Sequence, residues 1–112
     1  MNGTLIRDKL PERIKASGDY CNYAIIQTDE LFRDLIRDKL AETTQRFLNT
    51  NSVEDLCELM MVVNTIGAEA QEAFNATYAK QFEEFGGYDN RYVWLQSSRI
   101  AAENTAARKE TN

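Results

Sequence analysis

Histidine does not occur among the 112 residues of this chain. Without it neither a Ser-His nucleophile nor a histidine general base can be built, so any chemistry falls to carboxylates, Lys, Arg, Tyr or Cys. Cysteine is scarce. Cys21 and Cys57 stand alone, with no C-x-x-C spacing and no histidine to complete a zinc site. They read as reduced thiols of an intracellular protein. A basic excess is also lacking: 13 Lys and Arg against 18 Asp and Glu leave a net charge of −5. That argues against general nucleic-acid binding, because counterion release needs a basic face, although a local basic pocket is still allowed. No apolar run approaches the roughly 18 residues of a membrane span, and the opening MNGTLIRDKLPERIK has no apolar core of signal-peptide length. The expectation is a cytoplasmic protein with no membrane partner.

The length suits one domain, with a core modest enough that pairing with a second copy would help it. Lys9 to Ala16, with Pro11 near its first turn, predicts a short helix ended by Ser17-Gly18-Asp19. Tyr20 to Gln27 is aromatic and β-branched and predicts a strand; YVWL at Tyr92 to Leu95 suggests a second strand or an arm packing Trp94. Thr28 reads as the N-cap of a helix running to about Asn49, with Asp29 and Glu30 where the helix dipole favours anions. Ser52 reads as the next cap, and VEDLCELMMVVNTI behind it is apolar around most of its circumference, which predicts the central, most buried helix. Gly67 marks a break. Beyond it, Phe74, Tyr78, Phe82 and Phe85 make an aromatic stripe, expected in a core or a subunit interface, before Gly86-Gly87 stops the helix. From Gln96 the chain turns polar, so 1–97 reads as the helical domain and 98–112 as a tail that is a frayed helix or disordered.

The six letters LIRDKL occur twice, at Leu5 and Leu35. The copies part company at once and no third exists, so the repeat is not a solenoid period. The second copy opens the most informative stretch. Turning 100° per residue from Thr28 puts Phe32, Ile36, Leu40 and Phe47 on one face, with Lys39, Thr43 and Arg46 inside it and Glu42 at its edge. Two long cations on an inward face need partners. Either they pair with Asp55 or Glu58 of the next helix or snorkel out of the bundle end, or they line a polar pocket for an anionic ligand. Asp55 and Glu58, three residues apart, can share a side of their helix, or they can act merely as a cap and a solvated charge.

The order LIRDKLPERI, KLAETTQRFL, SVEDLCELMMVV, a lysine-bearing helix and FGGYDNRYVWL resembles the small MazG-like, phosphoribosyl-ATP pyrophosphohydrolase-like proteins of the all-α nucleoside-triphosphate pyrophosphatase group. The resemblance runs from about residue 4 to 95 and is sharpest in LIRDKLPE and in GGY with the later Arg91. It implies a mainly α, four-helix-bundle-like fold with one or two short peripheral strands, dimeric or tetrameric. It also implies hydrolysis between the α and β phosphates with Mg²⁺ held by an E-x-x-E and an E-x-x-D pair. Mg²⁺ demands such a crowd of oxygen ligands.

Here the second pair persists as Asp55 and Glu58, but Thr43 and Arg46 stand where the first pair of acids belongs, leaving only Glu42. A guanidinium about 4 Å from a divalent ion is opposed by several kcal/mol even at an effective dielectric of 20. Arg46 instead suits phosphate, and Lys39 beside it adds to that preference. Arg7, Asp8, Lys9, Lys80, Tyr88 and Arg91 match further family positions suited to ligand or structural contact, with Asp8 able instead to fix Arg7 in an internal pair, while Phe85 replaces a basic residue. The resulting expectation is a nucleotide-type ligand held without a cofactor and without hydrolysis, by Arg7, Lys9, Lys39, Glu42, Thr43, Arg46, Asp55, Glu58, Lys80, Tyr88 and Arg91. Small family members are frequent in phages, where such a pocket would suit a sponge for a cyclic or modified nucleotide signal. Two alternatives stay open. One is an active Mg²⁺ enzyme built on Asp38, Glu42, Asp55 and Glu58; the other is a structural or protein-binding bundle closed by salt bridges.

Overall fold

Residues 3–95 are described by the computed structural model. The expected tail at 98–112 lies outside them. The chain divides into two compact units, Met1–Asn75 and Ala76–Asn112. The fold is mainly α: α1 is Leu10–Ala16, α2 Asp29–Thr50, α3 Val53–Gly67 and α4 Gln71–Phe85, with a 3-10 turn at Ala68–Ala70.

The first unit is organised by the α2–α3 hairpin. Thr28 starts α2 in extended backbone and its Oγ1 accepts from the Leu31 N–H at 3.3 Å, as an N-cap must. Asn51 ends α2 in the left-handed region, φ 53, and donates its N–H to the Phe47 carbonyl at 2.7 Å. Asparagine tolerates that conformation better than most residues. Ser52 then returns to extended backbone and its Oγ accepts from the Asp55 N–H at 3.2 Å. Two residues therefore reverse the chain. Ion pairs Arg46–Glu58 and Arg33–Glu69 tie opposite ends of the hairpin and fix its antiparallel sense.

Leu35, Ile36 and Val62 are the buried apolar side chains among the described residues, and Thr43 is buried at 1 % exposure. Gly67 closes α3 against the Phe74 ring: a Cβ there would meet ring carbons at 3.0 Å. That contact, rather than any unusual φ, calls for glycine.

Several expectations are corrected. Tyr20 to Gln27 forms no strand, nor does Tyr92 to Leu95, and no strand occurs among the described residues. Strand-forming side chains express that preference only on a ladder, and neither segment has a partner. Trp94, expected to pack, is 82 % exposed. Helix α3 is not the most buried element. Leu59, Val62 and Ile66 turn inward, but Val53, Leu56, Met60 and Val63 are exposed on the adjoining side. The stripe Phe74, Tyr78, Phe82 and Phe85 is likewise exposed, so within this chain it is not core.

Candidate functional site

The N-terminal segment and the first turn of α1 border an open cleft of about 730 Å³ against α2 and α3. That volume is within the usual range for small-molecule sites. Helical spacing builds its floor. Phe32, Ile36 and Lys39 are one face of α2; Glu58, Met61, Val62 and Thr65 are one face of α3. The wall brings Arg7, Asp8, Lys9 and Arg13. Four cations thus face two carboxylates, in a chain whose net charge is −5. Such a local reversal of sign concentrates anions.

Beside the cleft lies an ion-pair chain. Arg46 Nη1 donates to Glu58 Oε2 at 2.8 Å and Nη2 to Glu42 Oε1 at 2.6 Å. Glu42 also meets Lys39 Nζ at 3.4 Å and accepts from Thr4 Oγ1 at 3.3 Å, which ties the N-terminal segment to α2. The Lys39 side chain is only 13 % exposed, and its ion pair is long. It is the least hydrated cation of this group and the one with most to gain from a bound anion.

The expected site residues separate into distinct roles. Arg7, Lys9, Lys39 and Glu58 share the cleft. Glu42 and Arg46 belong to the chain of ion pairs, and Arg46 is spent on two carboxylates rather than lining the cleft. The Thr43 hydroxyl donates to the Lys39 carbonyl at 2.8 Å, with the Leu40 carbonyl at 3.3 Å, so its own helix satisfies it. Asp55 serves the helix terminus: it accepts from Thr50 Oγ1 at 2.5 Å and from Ser52 Oγ at 2.9 Å. The Thr50 hydroxyl, then the Ser52 hydroxyl, hold its carboxyl below the ordinary aspartate range. Lys80, Tyr88 and Arg91 belong to the second unit, where Tyr88 is 95 % exposed and Arg91, at φ 61, donates its N–H to the Tyr88 carbonyl.

Sequence reading missed Arg13 and the apolar floor as parts of one cleft. Arg13 had a signal: it follows Lys9 by four residues, one turn along α1. The floor had none, because apolar residues facing a cleft and residues facing a core share the same periodicity.

A divalent ion fits this arrangement poorly. Among the described residues no three carboxylate or thiol groups converge. Glu42 and Glu58 flank a guanidinium, and Asp55 is turned to two hydroxyls. Asp38, offered as a substitute ligand, is exposed and makes no ion pair among the described residues. No family model, curated protein or solved structure matches this chain. The MazG-like resemblance therefore rests on the short motifs alone.

Proposed function

We propose that this chain is a non-hydrolytic nucleotide-binding protein that sequesters a phosphorylated or cyclic nucleotide and acts as a homodimer. The observation that carries this reading is the charge of the cleft: Arg7, Lys9, Arg13 and Lys39 around an apolar floor in an acidic chain. Phosphate answers to the cations, and a base answers to Phe32 and Met61. Hydrolysis is disfavoured because the carboxylates that would hold Mg²⁺ are committed to Arg46, Thr50 and Ser52. Binding without cutting is the property a nucleotide-signal sponge requires, and the MazG-like resemblance makes a phage anti-defence role its natural setting.

A second reading is favoured by one observation. Arg46 is fully engaged between Glu42 and Glu58, as it would be in a purely structural or protein-binding bundle. The two readings part in a simple assay. The pure protein is incubated with mono-, di- and triphosphates and cyclic dinucleotides, with EDTA or with Mg²⁺, then washed, denatured and its released ligand analysed. Recovery of intact ligand in EDTA is the expected result. Mg²⁺-dependent release of pyrophosphate would establish the enzyme instead, and neither retention nor turnover would leave the structural bundle.

A further inference from the structure

The cleft carries charges of both signs. Lys39 and Glu58 are its inner charged groups, one from each helix. Glu58 lies opposite Arg46 across the hairpin, and Lys39 joins the same chain of ion pairs through Glu42. An anionic group is attracted to the cations of the cleft and repelled by Glu58. What Glu58 can accept is a hydrogen-bond donor.

The state of this carboxylate narrows the donor. Its side chain is 21 % exposed, and Arg46 holds Oε2 at 2.8 Å, while Oε1 has no hydrogen-bond partner among the described residues. Arg46 fixes the orientation of the carboxylate. One turn or two along the same face, Met61, Val62 and Thr65 continue the floor. The Thr65 hydroxyl donates to the Met61 carbonyl at 2.8 Å, so towards a ligand it offers lone pairs. The non-cationic part of the cleft is therefore built of acceptors over an apolar surface.

We propose that Glu58 selects the base, and that the ligand class is a guanine nucleotide. Guanine carries two adjacent donors, N1–H and the 2-amino group, on one edge, and a carboxylate accepts both with its two oxygens. Hypoxanthine keeps only N1–H. Adenine presents an acceptor, N1, beside its single donor, and that lone pair opposes the carboxylate. Arg46 is a positioning residue in this scheme and touches no ligand atom.

The inference rests on the nucleotide reading, and its test separates the two. Dissociation constants are measured in EDTA for guanosine, inosine and adenosine diphosphates and for inorganic pyrophosphate, with the wild type and with Glu58→Gln. In the wild type guanosine diphosphate binds tightest, ahead of inosine diphosphate on the order of tenfold, as for loss of one arm of a bidentate base contact. In Glu58→Gln that ratio falls towards one, while pyrophosphate binds more tightly because a repelling charge has left the cleft, and an unchanged circular-dichroism spectrum reports an intact fold. Equal affinity for the three nucleotides overturns the assignment, as does a ratio that survives Glu58→Gln. Failure of every nucleotide to bind the wild type overturns the underlying nucleotide reading, and this assignment with it.

Discussion

Arg46 is the residue on which the functional reading turns. On an inward helix face a guanidinium either waits for a ligand or is already paired, and here Glu42 and Glu58 pair it at 2.6 and 2.8 Å. Its side chain is 38 % exposed, so screening limits what these contacts contribute. Arg46→Met should lower unfolding stability by about 1 kcal/mol, measured by urea titration, while leaving pyrophosphate affinity unchanged. Adding Glu58→Gln should cost less in the Arg46→Met background than alone, because the partner charge has already gone. A loss of pyrophosphate binding in Arg46→Met would show that the guanidinium meets phosphate after all. Sequence periodicity found that Lys39, Thr43 and Arg46 face inward. It left the choice between ligand and partner open, because which acid of α3 lies opposite depends on the hairpin's register. That register puts Glu58 at Arg46 and leaves Asp55 to the cap.

At the scale of elements, caps and breaks made the helices legible. Thr28, Ser52, Gly67 and Gly86 all act where the sequence suggests, since each works through its own neighbours. The two expected strands failed for the converse reason: a strand is defined by another strand, and local composition carries no information about whether one exists. Gly67 tests the same contrast. Both it and Ala68 have helical backbone, so alanine would ordinarily stabilise the site by up to about 1 kcal/mol. The Phe74 ring reverses the sign. With ring carbons 3.0 Å from the added methyl, Gly67→Ala should destabilise by roughly 1–3 kcal/mol, read as a lower melting temperature. Phe74→Leu should relieve much of that loss in the double variant. A Gly67→Ala protein as stable as the wild type would mean that the ring yields without cost.

For the whole molecule the question is what covers the second apolar face of α3. Val53 is 71 % exposed and Met60 63 %, and Leu56 and Val63 lie with them along one side of the helix. A helix whose apolar surface extends this far around its circumference is built to be packed on more than one side. The alternative, that these side chains simply face water, fits badly with a chain in which three apolar residues are buried among those described. Small cores usually need further burial to be stable. A second copy laid face to face on this side would be self-complementary, since each Met60 meets the same patch on its partner. Its stability must then depend on concentration. Diluting the protein a hundredfold should lower the melting temperature, and sedimentation should give twice the chain mass at the higher concentration. Met60→Lys places a charge in the patch and should yield the monomeric mass with a melting temperature independent of dilution. The substitution lies outside the residues that line the cleft, so any nucleotide affinity it removes would report a cleft whose shape depends on the dimer. A wild-type chain that sediments as a monomer at all concentrations, with an unchanging melting temperature, would leave this face without a second copy to cover it.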